Sequence, residues 1–140
     1  MYRKIIRILI VTILLLTLTP IKDVGVNDLI GIELVCSEIV ITCYNPVIGQ
    51  TDSNPDITAS GKRINLNDPI NHRWVAISRD LEKRFKFGDE VYICGTGLYD
   101  GIWVVQDRMN KRFNNRVDLL VGNKDIIDRW DNVSVYKIFR

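Results

Sequence analysis

Asp107 and Asp118 stand in the stretch "VVQDRMNKRFNNRVDLLV", residues 104–121, one at the end of an apolar run that reads as a β-strand, the other at the start of the next. The ten residues between them are polar and basic except for Met109, Phe113 and Val117. That placement predicts that both carboxylates lie at one rim of a β-structure. Two carboxylates held close together cannot both ionise cheaply, so one of them keeps its proton to higher pH. A carboxylic acid that is still protonated near neutral pH can donate a proton to a glycosidic oxygen. Arg108, Lys111, Arg112 and Arg116 could hold the second carboxylate ionised or grip an anionic substrate, with Arg108 nearest the pair in sequence.

A second candidate is "ITASG", residues 57–61. Thr58 and Ser60 offer hydroxyls to a ligand, and Gly61 could let the backbone approach one closely; an ordinary turn is the plainer reading. A third is Asp80 in "AISRDL", either a further acidic residue of the site or, with Ser78, a cap on the short helix that begins there. A metal site is not expected. One histidine, His72, and three scattered cysteines show neither a CxxC nor an HxxxH pattern. Cys36, Cys43 and Cys94 read as small buried hydrophobes, with a Cys43–Cys94 pair as the alternative outside the cytoplasm.

The elements that must position these residues are short. Residues 32–44, "IELVCSEIVITCY", are rich in β-branched side chains and read as one or two strands. Residues 45–71 hold three of the four prolines together with many Asn and Asp, which marks a long ordered loop. "HRWVAIS", "DEVYIC", "GIWVVQD", "RVDLLVG" and "NVSVYKIF" read as strands, with Val91 and Ile93 facing opposite to Tyr92 and Cys94. "RDLEKRF" can form one or two helical turns, and "NKDIIDRW" a short helix capped by Asn123. Many short strands with one or two small helices predict a mainly β protein, a small barrel.

The chain has 140 residues, enough for one domain with its own core. Arg3, Lys4 and Arg7 precede the apolar run "ILIVTILLLTLTP". A basic head before about a dozen apolar residues is the layout of a secretory signal, too short for the roughly 20 residues of a membrane span. Residues 1–22 are therefore expected to direct export, as a cleaved signal or a retained anchor. Residues 23–38 follow as a linker and first strand, and 39–140 as the barrel domain. The formal net charge of +2 falls to near neutrality without that head, which argues against nucleic acid as a partner.

The order of the pieces adds to this reading. A strand ending "TCY", then "TASG", "WVAIS", "FGDEVYI", "GIWVVQD" and "VDLLV" resembles the 3D domain, named for three aspartates. It is similar to the double-psi β-barrel of the membrane-bound lytic transglycosylase A family, to the muralytic resuscitation-type 3D proteins and, more distantly, to RlpA-like proteins. The resemblance covers roughly residues 39–139, and "TASG" with the paired aspartates are its specific features. Asp118 matches the family's catalytic acid/base and Asp107 the second aspartate. The place of the first holds Ser78, with Asp80 two residues on, and "DRMN" stands where the family often has "DTGG".

The resemblance implies a six-stranded double-psi barrel and an exported, cofactor-free enzyme that cleaves the β-1,4 bond between N-acetylmuramic acid and N-acetylglucosamine. Peptidoglycan strands would be its partner, the membrane would be touched only by the N-terminal segment, and the chain would act as a monomer. The rival is a non-catalytic glycan-binding or envelope-organising module on the same barrel, since fold does not dictate function. An ordinary hydrolase using water is a third reading. Trp74, Trp103 and Tyr99 could stack on sugar rings in any of these, or simply fill the core.

Overall fold

The structure, a computed structural model, describes residues 31–48, 54–122 and 128–140. The signal or anchor of residues 1–22 lies outside the described residues. Six strands close into a barrel: β1 (Gly31–Tyr44), β2 (Trp74–Ile77), β3 (Glu90–Cys94), β4 (Gly101–Arg108), β5 (Arg116–Leu120) and β6 (Arg129–Phe139), in the order β1-β5-β2-β4-β3-β6. The mainly β, six-stranded barrel expected from the sequence is the observed architecture. The β1/β5 and β2/β4 ladders are parallel and the other four antiparallel. Exchanging β1, β2 and β3 with β4, β5 and β6 leaves every pairing and its direction unchanged. The barrel is thus two interlocked halves, with every ladder joining a strand of one half to a strand of the other.

The inside of the barrel is filled by alternate strand residues. Ile39, Ile41 and Cys43 from β1 meet Val75 and Ile77 from β2, Trp103 and Val105 from β4, and Val117 and Leu119 from β5. Period-two alternation sends their sequence neighbours to the outer face. β1 turns Cys36, Ile39, Ile41 and Cys43 inward only by a bulge, while its first four residues are exposed. Ser37 and Glu38 stand opposite the single residue Ser134, and Glu38 takes a φ of 60°. The extra residue shifts the parity, so Cys36 and Ile39 both point inward. One strand can then serve β6 along most of its length and β5 through its last five residues.

Two sequence expectations are corrected here. The helix expected at residues 123–130 does not extend to its end: Arg129 and Trp130 already belong to β6, where Trp130 pairs with Ile41 and packs edge-on against Tyr99. Residues 123–127 lie outside the described residues. The other helical stretch is a 3-10 helix, Arg79–Lys83, held by the buried Leu81. The alternative of a Cys43–Cys94 pair also fails. β1 and β3 are not neighbours, Cys43 is buried, Cys94 is exposed, and neither of them nor the buried Cys36 is in a disulfide.

Candidate active site

β4 and β5 follow one another in sequence but do not pair. β2 lies between them, so Ala76 is the register partner of Asp107 on one side and of Asp118 on the other. The two aspartate backbones are thus separated by two strand spacings, about 10 Å. Ala76 has the smallest side chain that still satisfies a strand, and it leaves the space between the two carboxylates open. The cleft so formed encloses about 570 Å³, with Tyr44, Thr58, Ala76, Asp107, Phe113 and Asp118 among its lining.

This cleft is on the outer wall of the barrel. Val75 and Ile77 point inward, so Ala76 points out, and by the same alternation Thr42 and Tyr44 on β1 and Asp118 and Leu120 on β5 share its face. Asp107 would not. Its parity matches the inward Trp103 and Val105. A register shift between Val75 and Ala76 corrects this: Val75 pairs with Val105, but Ala76 pairs with Asp107, leaving Gln106 as an extra residue. A bulge of this kind re-aims the next side chain, and here it brings Asp107 onto the outer row.

The "TASG" turn docks on that bulge. Ser60 N–H donates to the Gln106 carbonyl (3.2 Å), and Ser60 Oγ donates to Gln106 Oε1 (2.7 Å). Ala59 N–H donates to Asp107 Oδ1 at 2.9 Å. Within the turn, Thr58 Oγ1 lies 3.0 Å from Ser60 Oγ and accepts from Lys62 N–H at 3.1 Å. Both hydroxyls are therefore engaged inside the protein, where the sequence suggested ligand contacts. Thr58 and Ala59 line the cleft; Ser60 and Gly61 do not. Gly61 has a φ of 84° and nothing within 4 Å of where a Cβ would sit. Its glycine serves the turn and not a close backbone approach.

Asp118 Oδ1 accepts a hydrogen bond from Thr42 Oγ1 at 2.7 Å, across the parallel Thr42/Asp118 register pair. Among the described residues its other oxygen has no partner. Burial pushes its carboxyl up to about 6, against the Thr42 hydrogen bond and the Arg116 charge, which both lower it; repulsion from Asp107 adds a smaller upward push. The expected elevation is present, but its main cause is desolvation and not the second aspartate. The intervening strand is the reason.

Asp107 is a clamp. Its Oδ1 accepts from Ala59 N–H and Arg108 N–H, and its Oδ2 accepts from the Tyr44 hydroxyl at 3.1 Å. Tyr44 is held well above its ordinary value by burial first, then by the Asp107 charge and hydrogen bond, then by Asp118. It remains a donor at any physiological pH. Thr42 and Tyr44 were not singled out from the sequence. Their signal was the i, i+2 spacing in "ITCY", a polar pair at the end of a strand whose other face is apolar.

The remaining sequence candidates fall elsewhere. Asp80 Oδ2 accepts from Asn115 N–H at 3.0 Å, tying the 3-10 helix to the loop before β5, and Asp80 is absent from the cleft lining. Hydrogen bonds from Ser78 and Asn115 hold its carboxyl low against an opposing effect of burial. Arg108 lines the cleft and pairs with Glu82. Trp103 is fully buried, Tyr99 packs against the core, and one face of Trp74 is covered by His72 at 4.1 Å. The aromatic rings that do line the cleft are Tyr44 and Phe113. Among the described residues no three His, Cys, Asp or Glu side chains converge as metal ligands would. No protein-family model matches the chain, and no curated protein matches it.

Proposed function

We propose that the chain is an exported enzyme that cleaves peptidoglycan glycan strands between N-acetylmuramic acid and N-acetylglucosamine, with Asp118 as the general acid/base. The observation that carries this reading is a cleft-lining carboxyl with a pKa of about 6, one oxygen fixed by Thr42 and the other without a partner among the described residues. A module that only bound glycan would have no use for a proton donor tuned in this way.

In the first step Asp118 protonates the glycosidic oxygen as the bond to the muramic C1 breaks. The resulting carboxylate then takes the proton of the C6 hydroxyl of the same sugar. That oxygen attacks C1 and closes a 1,6-anhydro ring, and Asp118 regains its proton. One group serves both proton transfers, whereas ordinary glycosidases divide the roles between two carboxylates. Asp107 holds the "TASG" turn and Tyr44 in place and contributes a modest repulsion to Asp118. No cofactor enters the scheme. Export is supported by the basic head and apolar run of residues 1–22.

Mass spectrometry of peptidoglycan digested with the purified protein is the test. Products ending in 1,6-anhydromuramic acid are expected. Reducing ends would replace the lytic step by hydrolysis. Absence of any product under conditions where the protein binds glycan would overturn the catalytic reading in favour of a binding module.

A further inference from the structure

We infer that the cleft carries an anion subsite, formed by Arg79 and Arg112, that reads a carboxylate on the substrate strand. The inference rests on the glycan reading above and narrows its substrate class to acidic strands. Among the described residues three arginines line the cleft: Arg79, Arg108 and Arg112. Arg108 is neutralised by Glu82. Arg79, exposed at the start of the 3-10 helix, makes no ion pair or hydrogen bond with the described residues. Arg112 has no carboxylate partner among them either. Its guanidinium lies 4.7 Å from the Phe113 ring, and Arg116 lies at the same distance from that ring. Two like charges gathered on one aromatic side chain repel, and an anion beside them would relieve that repulsion.

The cleft's own carboxylates supply it only to Arg116, whose charge acts on Asp118, and not to Arg112. Asp107 already receives two backbone N–H groups and the Tyr44 hydroxyl, and Asp118 is hydrogen-bonded to Thr42. Asn110 accepts the Arg112 N–H with its side-chain oxygen, which leaves its amide NH₂ as a further donor on the same wall. A guanidinium matches a carboxylate through parallel N–H···O bonds. A neutral amino-sugar polymer would offer these cations nothing to pair with. A strand bearing carboxylates, on the sugar itself or on a peptide attached to it, would.

The test is binding to Asp118→Asn protein, so that turnover does not consume the ligand. Titration calorimetry would compare peptide-bearing glycan, glycan stripped of peptide, each of these with its carboxyls converted to methylamides, and an oligogalacturonate. A charge-assisted contact is worth roughly tenfold in affinity. Amidation is therefore expected to weaken binding at least tenfold. Adding Arg79→Gln and Arg112→Gln should erase the difference between acidic and amidated strands, with thermal melting confirming that the variants fold. Loss on amidating only the stripped glycan places the carboxylate on the sugar; loss on amidating only the peptide-bearing glycan places it on the peptide. Equal affinity for acidic and amidated glycan would overturn the subsite and leave the proposed substrate standing. Arginine-dependent binding of the oligogalacturonate without binding of either wall glycan would keep the subsite and overturn the substrate. Binding of none of the probes would end both.

Discussion

Asp118 is a compromise between a buried position that disfavours its charge and two neighbours that favour it. Its folded pKa of about 6 lies above the ordinary carboxylate value, so the folded state binds this proton more tightly than the unfolded chain does. The cost of ionising it is absent below about pH 4, grows as the pH rises to about 6, and is constant above, reaching at most about 3 kcal/mol. Asp118→Asn keeps an acceptor for Thr42 and removes that cost. Thermal unfolding should therefore show the variant more stable than wild type above pH 6 and equal to it near pH 4, while turnover falls by roughly 10²–10⁴-fold. A variant less stable at pH 7.5 would contradict the burial argument.

The same balance predicts the pH profile of turnover against glycan. The acid must be protonated to act, so activity is expected to fall as the pH rises through about 6. Thr42→Val and Arg116→Gln each remove an influence that lowers the carboxyl, and should move this limb to higher pH. Asp107→Asn removes a smaller repulsion and should move it to lower pH by less than either. A larger shift from Asp107→Asn than from Thr42→Val would mean that the two aspartates are coupled more closely than their separation by β2 allows.

At the scale of elements, the bulge at Gln106 and the turn at residues 57–63 form one device. The bulge frees the Gln106 carbonyl and turns Asp107 outward, and the turn uses both as acceptors. Asp107→Ala removes the acceptor for Ala59 N–H, and should speed amide exchange at Ala59 and Ser60 by roughly tenfold, as expected for one lost hydrogen bond. Asp107→Asn retains a carbonyl oxygen there and should protect these amides nearly as well as wild type. Hydrogen exchange read by NMR separates the two. Similar loss of protection in both variants would mean that the charge, and not the geometry, holds the turn.

At the scale of the molecule, closure depends on β1. It pairs with β6 from Gly31 to Thr42 and with β5 through its last five residues, so it joins the two ends of the sheet. The resemblance sets the start of the barrel domain at residue 39, yet β1 runs through it without a break. A chain beginning at Gly31 should unfold in a single cooperative transition. One beginning at Ile39 loses the pairings from Gly31 to Cys36 and leaves half of β6 as an unpaired edge, which exposes it to aggregation. Circular dichroism melts would show a large fall in the transition temperature or no transition. An unchanged melt would show that the first half of β1 is dispensable to the barrel.

The sequence alone determined what is local. Alternation in "EVYIC" and "GIWVV" announces which side chains face a core, because strand periodicity is written residue by residue. The Asp118 and Asp107 carboxylates and the "TASG" turn were likewise legible as types and spacings. Strand order was not, because it depends on which distant segments pair. Only the folded barrel inserts β2 between β4 and β5, sets Ala76 between the two aspartates, and brings Thr42 and Tyr44 to them from residues far away in the chain. Only the register shift at Gln106 decides that Asp107 faces the cleft, since a strand read by its period alone would bury it beside Trp103.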